Sequence, residues 1–209
     1  KGRLAHYLCE QAATLVAAGH PEDAQALLEE AKEIAPEAPR PRMDQAQLQA
    51  RAGQSAQACA TLTAALHAAP GAVGLIAPQL AQQALAAQQS AAALALLQEV
   101  YAQGRSLDVL DAIVALEAAS PQATPTAREW YARHLENEPS LVAAAKWIAG
   151  EKLEHEAFHP HVQRALDHAV KPLTRYRCAA CGFEAKQHFW QCPGCQAWDS
   201  YPARRVEEL

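Results

Sequence analysis

The chain has 209 residues, half of them apolar, with 18 Lys and Arg against 23 Asp and Glu and a formal net charge of −5. It is long enough for a sizeable core, yet only 6% of its residues are aromatic, so alanine and leucine must supply the packing, which favours closely packed helices. No run of roughly 20 apolar residues occurs and nothing at Lys1 resembles a signal peptide, so these residues hold no membrane span and the fragment is expected to be soluble.

Charge is uneven along the chain. Residues 1–170 carry 12 Lys and Arg against 19 Asp and Glu, whereas residues 171–209 carry 6 against 4. Neither part presents the basic field that nucleic-acid binding requires, so no nucleic-acid partner is expected. The chain starts without Met in the middle of a helical pattern, which implies sequence upstream of Lys1.

From Ala5 to about Lys171 the sequence reads as helix pairs. Leu8, Ala12 and Leu15 mark the first helix, Gly19-His20-Pro21 the turn, and Ala24, Leu27, Leu28, Ala31 and Ile34 the second, which Pro36 closes. Proline suits a first helical turn but cannot extend a helix. A shift of 34 residues recovers the same punctuation: Gly19 becomes Gly53, Ala24 becomes Ala58, Leu28 becomes Leu62, Ala31 becomes Ala65 and Pro36 becomes Pro70. That period and pattern resemble the tetratricopeptide repeat, in which small residues sit where two helices cross closely.

A third unit places Ala92 and Leu96 in register, with Gly104 in place of the closing proline. A fourth spans about Ser106 to Pro139, with Ala127 and Pro139 each one residue late and an inner turn at Pro121 and Pro125, and a last pair runs through Leu141–Leu153 and His161–Val170. Such units cannot bury their faces alone, so they stack into a curved solenoid whose concave side commonly binds peptides or proteins. An α bundle with coincidental spacing is the plainer alternative.

His155-Glu156-Ala157-Phe158-His159 spells H-E-x-x-H, in which two histidines one helical turn apart hold zinc and the Glu activates water. Pro160 follows at once and pushes His159 away from the helical geometry the shared face needs, which favours a solvated turn between helices over protease chemistry. Cys9 and Cys59 have no partners at ligand spacing and read as small buried side chains. Trp130, Tyr131 and Trp147 read as core of the later units.

The informative stretch is Tyr176-Arg177-Cys178-Ala179-Ala180-Cys181-Gly182-Phe183, answered by Trp190-Gln191-Cys192-Pro193-Gly194-Cys195-Gln196-Ala197-Trp198. Each C-x-x-C is the span over which one tight turn can aim two sulfurs at a single ion, and two such turns complete a tetrahedron suited to zinc or to a lone iron. Gly182 permits positive φ, and Pro193 with Gly194 pre-bends the second turn. Four thiolates close the metal's shell, which argues for a structural site rather than hydrolysis. Two disulfides or four buried thiols are the other options, and the paired spacing favours metal. A divalent ion with four thiolates contributes −2, offsetting the local basic excess.

Only Lys171-Pro172-Leu173-Thr174 separates the last helix from the ribbon, so the ribbon is expected to dock on the final helices, with Phe183, Phe189, Trp190 and Trp198 as docking and mini-core aromatics. The expected division is a tetratricopeptide-repeat solenoid over 1–171 and a tetracysteine ribbon over 172–209.

The ribbon, with Tyr176 two residues before the first Cys, C-x-x-C-G-F and C-P-x-C, resembles the rubredoxin fold. It departs at Gln196, where electron-carrying rubredoxins usually have Gly. Tandem repeats followed by R-Y-R-C-x-x-C-G-F-x-A and W-x-C-P-x-C-x-x-W resemble the lipopolysaccharide assembly protein B family over essentially the whole chain. That resemblance implies a non-enzymatic adaptor on the cytoplasmic side of a Gram-negative inner membrane, anchored by an N-terminal helix upstream of these residues. It implies FtsH, LpxC and other lipopolysaccharide assembly proteins as partners, with degradation of the deacetylase LpxC by the membrane protease FtsH promoted. It assigns Cys178, Cys181, Cys192 and Cys195 as ligands of one zinc or iron ion, zinc being favoured. An iron-containing electron carrier with a protein-docking solenoid is the alternative.

Overall fold

The computed structural model describes residues 1–119, 127–150 and 158–209, and it has the expected mainly α architecture, a tetratricopeptide-type array of helical hairpins followed by a small C-terminal ribbon. The helices are α1 (Gly2–Ala17), α2 (Pro21–Ile34), α3 (Pro39–Arg51), α4 (Ser55–Ala68), α5 (Val73–Ala86), α6 (Ser90–Gly104), α7 (Leu107–Ala118), α8 (Ala127–Leu135), α9 (Leu141–Ala149) and α10 (His159–Val170). The chain divides into two compact units, Lys1–Leu97 and Gln98–Leu209. Among the described residues no single helix is long and apolar enough to cross a membrane.

In the first unit α1 packs on α2, α2 on α3, α3 on α4 and α4 on α5. Gly19 at φ +85° and Gly53 at φ +76° end the first helix of each pair. In both, the next amide reaches back to close the turn, His20 to the Leu15 carbonyl and Gln54 to that of Gln49, each at 2.9 Å. This is the left-handed helix stop that glycine adopts without a Cβ penalty. The small crossing residues Ala24, Ala58, Ala31 and Ala65 are fully buried beside Leu28 and Leu62. Truncating either leucine to alanine should cost about 2–5 kcal/mol.

The third pair keeps the same stop with a different residue. Gln88 takes the left-handed position at φ +57°, and the Gln89 amide closes on Ala84 at 2.9 Å. Because α5 has 14 residues where α3 has 13, the register slips by one. The buried positions of α6 are therefore Ala93 and Leu97, and Ala92, expected inside, is exposed.

Cys9 and Cys59 are buried as expected. Burial, with Asp44 alongside, pushes the Cys9 thiol up to about 12, and burial also raises Cys59, so both are inert.

In the second unit α7 packs on α8, α8 on α9 and α9 on α10. Leu107, Leu110, Tyr131, Val142 and Ala143 form its core, with Trp130 and Trp147 packed against it, so the three aromatics serve packing as expected. Ala127 opens α8 and is exposed, not a crossing residue. Pro121, Pro125 and Leu153 lie outside the described residues.

Candidate metal centre

Two short strands, β1 (Tyr176–Arg177) and β2 (Glu184–Ala185), pair antiparallel with Tyr176 opposite Ala185. They frame the first knuckle, while an isolated bridge between Gln191 and Trp198 frames the second. The two knuckles repeat one design. The Gly182 amide donates to the Cys178 carbonyl and the Gln196 amide to that of Cys192, both at 2.9 Å. Cys178 and Cys192 in turn donate their amides to Phe183 and Ala197, again at 2.9 Å. Gly182 sits at φ +77° and Gln196 at φ +61°, so the position where Gln replaces glycine does require the left-handed conformation.

The four sulfurs converge. Cys178 Sγ lies 3.8 Å from Cys195 Sγ, Cys181 Sγ lies 3.7 Å from Cys192 Sγ, and all four fall within 4.8 Å of one another. A tetrahedron with metal–sulfur bonds of about 2.3 Å has edges of about 3.8 Å, so the cage fits one zinc or iron ion. Cys178 and Cys192 are buried, and Cys181 and Cys195 face solvent.

The surroundings favour thiolates unequally. The Ser200 hydroxyl, 3.2 Å away, and the Cys181 and Ala180 amides outweigh burial and pull Cys178 down to about 6. The Phe183 amide lowers Cys181, but burial and the neighbouring sulfurs hold its thiol at about 12. Four thiolates this close repel one another, and a divalent cation is what allows all of them to ionise together.

Around the sulfurs is a small aromatic nest. Tyr176 and Tyr201 are buried, His188 lies edge-on to both, and Trp190 is 4.7 Å from His188. His188 Nε2–H donates to the Tyr201 carbonyl at 3.1 Å, and burial lowers its pKa. The Tyr201 hydroxyl donates to the Phe183 carbonyl at 3.1 Å. Of the aromatics expected to dock the ribbon, Phe183 is exposed and lies over Gly194, while Phe189 and Trp190 pack within the ribbon.

The ribbon does dock on the helices, through a polar tail that the sequence reading missed. Arg205 grips Asp108 of α7 with three contacts of 3.0–3.2 Å, donates to the Thr174 carbonyl at 2.9 Å and stacks on the Tyr176 ring at 4.2 Å. Glu207 accepts from Ser140 Oγ at 2.9 Å and from the Leu141 and Val142 amides at 2.6 and 3.1 Å, at the start of α9. Glu208 accepts from the Leu107 amide at 2.9 Å, at the start of α7. Carboxylates at helix N-termini satisfy orphan amides and meet the positive end of the dipole. The Val206 and Glu207 amides pair with the Arg175 and Leu173 carbonyls, tying the tail to the linker. A pair of acids in R-V-E-E was the available signal, but nothing local marked its targets.

Residues 176–201 match the family described as rubredoxin metal binding domain. That match is confined to the C-terminal ribbon. The rubredoxin ribbon and its flanks are also 44% identical over 41 residues to lipopolysaccharide assembly protein B of Escherichia coli strain K12, and equally to that of strains O6:H1 and O157:H7. The aligned stretch covers 19% of this chain and 10% of each relative, so the match spans about a tenth of those proteins. The likeness to the lipopolysaccharide assembly protein B family is carried by the rubredoxin ribbon. A solved structure, the MamA RS-1 ArsTM double mutant, superposes at a TM-score of 0.50 with 16% identity, over 80% of this chain and 96% of that one. At that identity the likeness concerns the helical fold alone.

Of the H-E-x-x-H stretch, His155 and Glu156 lie outside the described residues. His159 opens α10, with Nε2 3.2 Å from the Ile148 carbonyl.

Proposed function

We propose that this chain is a non-enzymatic adaptor that restrains lipopolysaccharide synthesis by presenting LpxC to the membrane protease FtsH. The helical pairs bind the partner or client, and the rubredoxin ribbon, holding zinc on Cys178, Cys181, Cys192 and Cys195, fixes the end of the second unit. The observation that carries this reading is the four-sulfur cage joined by its tail to α7 and α9. A closed thiolate shell has no open position for substrate, so its use is structural. The ribbon's 44% identity to lipopolysaccharide assembly protein B supports placing it in lipopolysaccharide assembly. On this reading the native protein carries an N-terminal membrane helix and works on the cytoplasmic side of the inner membrane.

The test is co-purification with FtsH and LpxC, using the chain with its native N-terminal sequence restored, beside a Cys192→Ser variant. Capture of LpxC and FtsH by the native protein, with loss in the variant, is expected. Failure of the native protein to retain either partner would sink the proposal. An absorption spectrum separates zinc from iron, since an iron tetrathiolate is red with reversible charge-transfer bands and the zinc form is colourless.

A further inference from the structure

A cavity of about 470 Å³ opens beside the joint between the rubredoxin ribbon and helices α7 and α9. Five cations line it: Lys146 from α9, Lys171 and Arg175 from the linker, Lys186 just after β2, and Arg205 from the tail. They come from four separate segments, so their convergence is a product of the docked ribbon rather than of a basic run in the sequence. Three acids oppose them, Asp108, Asp111 and Glu207, which leaves an excess of two positive charges on a chain whose net charge is −5.

The pairing shows which cations are committed. Arg205 is held by Asp108, Lys146 by Asp111, and Glu207 is spent on the start of α9. Arg175 makes only a long contact, 3.7 Å, to Glu184. Lys171 and Lys186 have no acidic partner among the described residues. Leu107, Val142 and Leu173 give the cavity an apolar wall, the first two nearly fully buried. The volume lies in the range of small-molecule sites, and uncommitted ammonium groups facing an apolar wall suit a ligand with an anionic head and an apolar body.

We propose that this cavity binds the phosphate group of a small phosphomonoester, with Lys171, Lys186 and Arg175 on the phosphate oxygens and the ester's apolar part against Leu107, Val142 and Leu173. Phosphate is favoured over a single carboxylate because a dianion matches the excess of two positive charges. Because the walls belong to both the ribbon and the helices, occupancy would also reinforce the docking.

The test is calorimetric titration of the metal-loaded protein with phenyl phosphate, inorganic phosphate and benzyl alcohol. Phenyl phosphate is expected to bind with a Kd below about 1 mM, more tightly than inorganic phosphate, with no binding of the uncharged alcohol. Lys171→Ala with Lys186→Ala should weaken phenyl phosphate at least about tenfold, since charge-assisted contacts are lost, while Arg3→Ala leaves it unchanged. Both lysines are exposed, so the double variant should fold and keep its metal. Absence of saturable phenyl phosphate binding, equal binding by the double variant, or binding only to phosphatidylglycerol vesicles and to neither soluble phosphate would overturn the proposal.

Discussion

Arg205 is the residue on which the joint between ribbon and helices turns, and its removal has a calculable consequence. The Asp108 side chain is 10% exposed and that of Arg205 26%, so the pair is shielded but not sealed. Breaking a fully buried pair from one side costs about 3–5 kcal/mol, because a charge is stranded away from water. Partial exposure of the guanidinium trims this, and loss of its stacking on Tyr176 returns about 0.5–1 kcal/mol. Arg205→Ala should therefore destabilise the second unit by about 3 kcal/mol. Arg205→Lys, which keeps charge but not the two-pronged grip, should cost about half of that. A double-mutant cycle with Asp108→Ala, read by urea unfolding of metal-loaded protein, isolates the pair and should give a coupling of about 1–2 kcal/mol. Burial already raises the Asp108 pKa against the pull of Arg205. In Arg205→Ala the stranded carboxyl can take up a proton, so the deficit should shrink toward acid pH. A coupling below about 0.5 kcal/mol, or unchanged hydrogen exchange in the first turns of α7 and α9, would refute this account of the joint.

Four further outcomes are expected. Glu207→Ala should cost about 1–2 kcal/mol by uncovering the Leu141 and Val142 amides, read as faster exchange at those two positions. Cys192→Ser should lose the ion and unfold the ribbon while leaving most helical circular dichroism intact, and unchanged metal content would contradict the ligand assignment. Gln196→Gly should stabilise the metal-bound ribbon by up to about 1 kcal/mol, measured by chelator-challenge kinetics, because Gln196 is held at φ +61°. In the first unit, burial raises Asp44 to about 6, against the opposing charge of Arg40. Between about pH 4 and pH 6 the folded protein then holds a proton that the unfolded chain, titrating near 3.9, has released. Stability should decline as pH rises through that window, and Asp44→Asn should flatten the decline in thermal melts.

The parts legible in the sequence are those encoded by local chemistry. Gly19 and Gly53 mark helix stops because only glycine enters the left-handed region without penalty, and the two C-x-x-C knuckles declare themselves by spacing. The third pair blurred because Gln88 fills the glycine position and α5 is one residue longer, which moved the buried residues from Ala92 and Leu96 to Ala93 and Leu97. The ribbon's attachment was hidden for a different reason. Ser106 stands where an N-cap belongs yet makes no side-chain cap bond, and its buried hydroxyl has no partner among the described residues, while Glu208 takes that task across 101 residues. Ser140 caps the Ala143 amide, but the acid completing that start is Glu207, 66 residues from Leu141. Phe189 and Trp190, near the cysteines, pack within the ribbon, whereas the grip on the helices is ionic and comes from beyond them.

The remote caps on α7 and α9 impose an order of assembly on the ribosome. At about 5–20 residues per second, a hundred residues separate the emergence of Leu107 from that of Glu208 by about 5–20 s. Through that interval α7 waits with its Leu107 amide uncapped, and for 66 residues of it α9 waits for Glu207 at its Leu141 and Val142 amides, both exposed to chaperones and proteases. Completion of this half waits for the tail, so maturation there tracks translation and metal supply together rather than the intrinsic speed of helix formation.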